Sequence, residues 1–354
     1  MLGNIRLSKC CSNVNLYYIN SAIHTVDTNA STDDIRNYIS TLTPASFKAK
    51  GGNRGQSDLR DDISKALAHT DDNNVSILIS DFVFSPGPGV DAHGYLVNQG
   101  IGIQLDIAKK LQQYDLAVEV LQLYSQFEGF YYDENNKPVY VSCKRPYYIW
   151  IIGNSANIRS LVKSKVVDNI RGHCQNTFIV QNLKNNSSPD YKILYTDKIG
   201  SFRLPQGAKG PIESATPSNQ PRTMGKFAFS VAVDFSKYVQ DTTFFSDRTN
   251  YECNSNYSLA AGHVNDTDNV TLRGFTHKLK LTTSDLRKET VNVLVKGRVP
   301  SWVTASSSEN DQNMKDDTVQ QRATFGFKYL IQGLCDAFYQ SGNNTITSFK
   351  IIIQ

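Results

Sequence analysis

A chain of 354 residues is long enough for two domains, and a composition 40% hydrophobic and 10% aromatic supplies ordinary cores. A formal charge of +4 is too small to define a nucleic-acid-binding protein by itself. No apolar run approaches the roughly 20 residues of a membrane span, and six cysteines without Cys-x-x-Cys spacing give neither a disulfide framework nor a zinc site. The first ten residues also lack the apolar core of a secretory signal, so the expectation is a cytoplasmic protein with reduced thiols.

In chain order, strand and helix patterns alternate through the first half. Val14–Val26 is rich in β-formers, and Asp33–Leu42 suits a short helix capped by Ser31 or Thr32. Lys50–Gln56 (KGGNRGQ) is a glycine-rich turn. Its glycines either cradle a phosphate ahead of a helix or simply make the turn. Ser57–Ala68 reads as an amphipathic helix with Leu59, Ile63 and Leu67 on one face. Val75–Phe84 is a strand, and Asn98–Tyr114 a helix with Ile103, Ile107 and Leu111 at spacing four. Leu116–Tyr132 runs into a hairpin whose tip, Asp133–Lys137, is polar. Pro146–Gly153 is a strongly apolar strand, followed by a helix from Asn157. Alternation of this kind implies parallel pairing in a doubly wound α/β sheet over residues 1–175, with a hairpin insertion at about 124–145.

From about residue 176 to 354 the pattern becomes β-rich. Thr177–Leu183, Tyr191–Tyr195, Lys226–Asp234, Asn269–Leu281 and Thr290–Lys296 are separated by Asn, Ser, Gly and Pro. They imply an antiparallel sandwich-like domain with one long helix at about 318–340 and a closing strand, Thr345–Ile353.

Val75–Ser85 (VSILISDFVFS) places Asp81 at the carboxyl end of a strand, where open α/β sheets bind ligands and metals. Asp91 and His93 follow in a Gly- and Pro-bearing loop. Together with Gly51–Leu67 and Pro146–Leu161, this strand makes residues 14–172 resemble a von Willebrand factor A domain, with its Rossmann-like sheet. The resemblance implies a Mg²⁺ site at the sheet's carboxyl edge. Asp81 matches the family's third-loop acid, and Ser57, with Asp58 as its rival, the second-loop ligand. The family's first loop, Asp-x-Ser-x-Ser, has no counterpart in this chain. Either the site is metal-free or the motif lies upstream of Met1.

The leading expectation is therefore a non-enzymatic protein-interaction module using that sheet edge, Mg-assisted if the missing loop is supplied. Asp91, His93, Phe130, Tyr131, Lys144 and Arg145 are its candidate partner contacts, the last four on an aromatic hairpin suited to docking another protein. Two alternatives stand beside it. One is a metal-dependent hydrolase using Asp81, Asp91 and His93. The other is a nucleic-acid-associated factor using the hairpin's rings with Lys144 and Arg145.

Overall fold

The computed structural model describes every residue except 9, 21, 51–57, 167–173, 183–187, 239–242, 265–271 and 340–343. The chain forms two compact units, each built from two stretches of sequence: Met1–Asn182 with Val299–Phe338, and Leu183–Arg298 with Tyr339–Gln354. Among the described residues, no helix is long and apolar enough to cross a membrane. All six cysteines are free thiols.

The first unit opens with helix α1 (Leu2–Leu7) and a small antiparallel hairpin of β1 (Leu16–Ile19) and β2 (Ile23–Asp27), a sheet of its own. Helix α2 (Thr32–Thr41) starts with a reciprocal cap. Ser31 accepts from the Asp34 N–H, and Asp34 accepts from the Ser31 N–H. Leu16, Ala30 and Ile35 close a small core beneath it. After α3 (Pro44–Ala49), helix α4 (Leu59–Ala68) buries Leu59, Ile63, Ala66 and Leu67. It packs on α5 (Ala92–Gln113), where Arg60 and Ser64 both bond Asp106. The apolar stripe Leu96, Ile103, Ile107 and Leu111 of α5 faces inward at helical spacing.

The main sheet contains β3 (Val75–Ser80), β4 (Leu116–Tyr132), β5 (Pro138–Asn154) and β6 (Asn176–Gln181) in the order β3-β5-β4-β6. Helix α6 (Ser155–Ser164) follows β5. Every neighbouring pair in this sheet is antiparallel. This overturns both the mainly parallel, doubly wound expectation and the von Willebrand A resemblance. The physical reason lies in β5. Because β3 and β4 are each antiparallel to β5, they run in the same direction, as a strand–helix–strand crossover demands. They are not neighbours, however. The hairpin returns β5 between them, and the parallel pair never forms.

The second stretch of the unit supplies α7 (Ser301–Ala305), β15 (Ser307–Ser308), α8 (Thr318–Gln321), β16 (Thr324–Phe325) and α9 (Phe327–Tyr339). β15 and β16 form the one parallel pair among the described strands and close the base of a loop over residues 309–323. The expected helix at 318–340 is thus broken. Gly326 sits at φ +78°, and a side chain there would collide with Leu96 and Phe84. Helix α9 packs on α5 of the first unit rather than serving a sandwich domain. Its Gly333 lies against Gly100, close enough that a Cβ would strike the Gly100 carbonyl. Tyr148 stacks on Phe327 at 3.9 Å, and Phe82 on Trp150 at 5.2 Å, all four side chains fully buried.

The second unit contains β7 (Asp190–Ile199), a short hairpin of β8 (Ser201–Arg203) and β9 (Glu213–Thr216), then β10 (Phe227–Asp234), β11 (Tyr251–Cys253), β12 (Ser258–His263), β13 (His277–Thr283), β14 (Glu289–Lys296) and β17 (Thr345–Ile353). One sheet has the order β12-β13-β10-β7 and the other β11-β14-β17, all antiparallel. With the seven sheet strands lettered in chain order, these are D-E-B-A and C-F-G, the order of an immunoglobulin constant-type sandwich. The sheets meet through alternate residues: Leu279 and Leu281 of one, Val291, Val293 and Ile351 of the other, all buried. Tyr191 stacks on Phe349 across them at 5.1 Å. Strands B and F carry no cysteine here, so hydrophobic packing does the work of the usual inter-sheet disulfide. Such a topology hosts unrelated activities and by itself assigns none.

Candidate interaction surface

Strands β4 and β5 are 17 residues each, far longer than the sheet that anchors them. β6 pairs with β4 only over Ala117–Gln122, and β3 with β5 only over Tyr148–Gly153. Leu123–Tyr132 and Pro138–Tyr147 therefore pair only with each other, as a ribbon about 30 Å long at ~3.3 Å per residue. Its tip is set by Asp133, whose carboxylate accepts from the N–H groups of Asn135 and Lys137, and by Asn136 at φ 59°.

A two-stranded ribbon is marginal alone. Here the 306–325 segment braces one face of it. The Tyr131 hydroxyl donates to Asp311 at 2.5 Å, and the Glu134 N–H donates to the other Asp311 oxygen at 2.9 Å. The Arg145 guanidinium donates to the carbonyls of Gln321 (3.1 Å) and Ala323 (3.4 Å) and lies 4.5 Å from the centre of the Tyr131 ring. Tyr131, Val141, Arg145 and Asp311 are all buried. Burial pushes the Asp311 carboxyl up to about 6, although both donors act to lower it. At the ribbon's root, Asn176 donates to Gln122, Gln122 donates to Ser306, and Tyr148 donates to Thr324, a buried polar chain with partners throughout.

Alternation turns the intervening residues the other way. Phe130 (61% exposed), Tyr132 (53%) and Tyr140 (53%) stand on the open face, with Phe130 edge-on to Tyr140 at 5.6 Å. Tyr140 donates to Glu128, and Lys144 lies 5.7 Å from the Tyr124 ring. At half exposure, three such rings offer on the order of 300 Å² of apolar surface.

The expected partner contacts therefore divide. Phe130 and Lys144 belong to the open face. Tyr131 and Arg145 are locked into the braced face and cannot meet a partner. This removes the nucleic-acid reading: the guanidinium that was to bind phosphate is consumed by two carbonyls, and no exposed basic aromatic platform results. Tyr140 was missed, and Tyr132, a member of the hairpin's aromatic cluster in the sequence, was not among the named contacts. Period-two alternation from Phe130, with the register fixed by the tip, was the signal that could have found them.

The sheet-edge residues do not assemble into a site. Ser57 and Gly51–Gly55 lie outside the described residues. Asp58 caps α4 by accepting from the Asp61 N–H, and Asp91 caps α5 by accepting from the Gly94 N–H. His93 bonds the Tyr329 hydroxyl at 3.1 Å, and Tyr329 in turn donates to Glu309. Among the described residues, no three His, Cys, Asp or Glu side chains come together as a metal-holding group. The hydrolase built on Asp81, Asp91 and His93 is excluded accordingly, and so is the interaction module presented on a parallel sheet edge.

Asp81 itself is exposed by surface area, and the protein packed around its carboxyl raises its pKa by desolvation only as far as that exposure allows. The nearby Arg145 charge and long bonds from Val83 N–H (3.5 Å) and the Ser80 hydroxyl (3.4 Å) act the other way. Phe82 follows at φ 52°, a conformation that costs a bulky residue about 1–3 kcal/mol and is held by complete burial against Trp150.

No protein-family model, curated protein or solved structure matches this chain.

Proposed function

We propose that this chain is an interaction protein that docks onto another protein through the open face of its β4–β5 ribbon. The observation that carries this is the asymmetry of the ribbon. One face is fixed by Asp311, Gln321 and Ala323, while the other presents Phe130, Tyr132 and Tyr140, each more than half exposed. A rigid element bearing aromatic anchors loses little conformational entropy on binding, and Tyr is enriched in the residues that dominate protein interfaces. The charge on that face favours a protein over a nucleic acid. Glu128, which accepts from Tyr140, offsets the charge of Lys144 on that face and Arg145 is turned away, so no cationic stripe follows a phosphate backbone.

The partner surface would offer apolar pockets for the rings and an acceptor for the Tyr132 hydroxyl. A photo-crosslinking amino acid placed at position 130, in the cells that make the protein, tests this. The expected result is one adduct of discrete mass that Tyr132→Ala with Tyr140→Ala abolishes. An adduct indifferent to those substitutions, or none, would refute ribbon docking.

A further inference from the structure

We propose that His263 and His277, paired across β12 and β13 in the second unit, form a binding site for a transition cation of the Zn²⁺, Cu²⁺ or Ni²⁺ class. The two residues are directly opposite in the antiparallel register, so their side chains leave the same face of the sheet. Their rings lie 4.3 Å apart, tilted by 40°. His277 is 5% exposed and its Nε2 has no hydrogen-bond partner, a buried polar atom that calls for an explanation.

The Thr276 hydroxyl bears on what that atom is. The Thr276 hydroxyl donates its single proton to the Val233 carbonyl at 3.2 Å and accepts from the Phe235 N–H at 2.9 Å. With the hydroxyl so turned, its contact with His277 Nδ1, at 2.9 Å, is a bond donated by the imidazole; turned to Nδ1, it would leave the Val233 carbonyl to the Thr276 N–H and give the other tautomer. In the first arrangement neutral His277 carries its proton on Nδ1 and Nε2 is a lone pair, the tautomer that a bound cation would select. A ring held by its far nitrogen with the near one free is the arrangement that metal-ligating histidines adopt. Phe235 and Phe245, with ring centres 5.5 and 5.6 Å from that of His277, supply an apolar surround without a competing donor.

His263 is the exposed member of the pair, and a turn of its ring is the movement that admits an ion. Two imidazoles suit zinc, copper or nickel and not magnesium, which prefers oxygen. Water would fill the remaining positions. The bound ion would clamp the edge strand β12 to β13.

The test is a Zn²⁺ titration of the full chain carrying Cys10→Ser and Cys11→Ser, which removes the adjacent thiols. Calorimetry should show one saturable site. His263→Asn, at an exposed position, should weaken it roughly tenfold or more, and Thr276→Val should weaken it less while leaving both imidazoles in place. The melting temperature should rise with Zn²⁺ and not with Mg²⁺. Absence of saturable binding, or an isotherm unchanged by His263→Asn, would overturn the assignment.

Discussion

The Tyr131 hydroxyl lies 2.5 Å from a carboxylate oxygen of Asp311, a residue 180 positions further along the chain. The bond ties the tip half of the ribbon to the segment that returns from the second unit. Without it the tip would be held to that segment by the Glu134 N–H, while Arg145 still anchors the ribbon nearer its root. Asp311 thus decides which ribbon face is free.

Its ionisation makes the first unit sensitive to pH. Burial raises the folded value from 3.8 to about 6, so the native state holds a proton that the unfolded chain has released between those limits. Stability is then greatest near pH 4 and declines as pH rises to 6. The decline is about 3 kcal/mol at most, because a tenfold difference in proton affinity between folded and unfolded chain is worth ~1.4 kcal/mol. Asp62, also pushed up to about 6 by burial, acts in the same direction. Urea unfolding followed by Trp150 and Trp302 fluorescence should show this decline. Asp311→Asn should shrink it to the Asp62 part, because the amide still accepts from Tyr131 or Glu134 but does not ionise. An unchanged slope in that variant would show the carboxylate to be solvated.

Arg145 should not tolerate its nearest relative. Arg145→Lys keeps the charge but cannot reach both the Gln321 and Ala323 carbonyls or stack on Tyr131. Leaving one buried carbonyl unmet costs about 1–3 kcal/mol. The melting temperature should fall, and hydrogen exchange should accelerate in the ribbon before the β3–β6 sheet. By contrast, Phe130→Ser should change stability by less than about 1 kcal/mol, because it removes only one cross-strand ring pair on the open face.

The part of this surface that was legible in the sequence is local. The polar run Asp133–Lys137 marked the ribbon tip, because a turn's demands are met by its own residues. The strand leading to Asp81 was also local, whereas the parallel pairing inferred from strand–helix–strand alternation was wrong. Strand order is not local. Nothing within Pro146–Gly153 says that it lies between Val75–Ser80 and Leu116–Tyr132, since apolar strands buried on both faces look alike in either position. The roles of Tyr131 and Arg145 were hidden for a related reason. They are settled by Asp311, Gln321 and Ala323, more than 170 residues away, and polar residues bound for burial look like surface residues until their partners are known. The φ 78° turn at Gly326 was written only as a glycine inside a helical pattern.

The contact between α5 and α9 predicts a ranked pair of glycine variants. A Cβ at Gly333 would run into the Gly100 carbonyl, whereas a Cβ at Gly100 would meet the Tyr329 carbonyl at 3.0 Å. Backbone cannot swing aside as a side chain can. Gly333→Ala should therefore lower stability by about 1–3 kcal/mol, the usual cost of overpacking, despite alanine's better helix propensity. Gly100→Ala should cost less. Denaturant midpoints for the two variants would check the order, and equal midpoints would show that the helices slide apart freely.

Removing charge at Asp81 should stabilise the first unit. Desolvation raises this carboxyl, less than full burial would because the side chain is exposed, so ionisation at neutral pH opposes folding by a small margin. Asp81→Asn keeps an acceptor for the Val83 N–H and discards the charge, and its melting temperature at pH 7 should exceed the parent's. The difference should shrink as pH falls and the parent carboxyl takes up its proton. A lower melting temperature at pH 7 would mean that attraction to Arg145 outweighs desolvation.

The second unit should respond to acid in the opposite sense from the first. His277 is held neutral because burial disfavours its charged form and His263 adds to the penalty, lowering its value from 6.5 to about 4. Between those limits the unfolded chain takes up a proton that the native state refuses, so stability falls as pH drops from 6.5 to 4. The loss is about 3 kcal/mol at most. Both tryptophans belong to the first unit, so fluorescence would not report it. Amide exchange along β10 and β13, whose bonded pairs run from Phe227↔Thr283 to Val233↔His277, would. Protection there should weaken on acidification while the first unit gains stability. His277→Phe keeps an aromatic ring beside Phe235 and Phe245 and cannot be protonated, so its exchange rates, corrected for intrinsic chemistry, should lose this pH dependence. If the dependence persisted in that variant, another group would have to carry it.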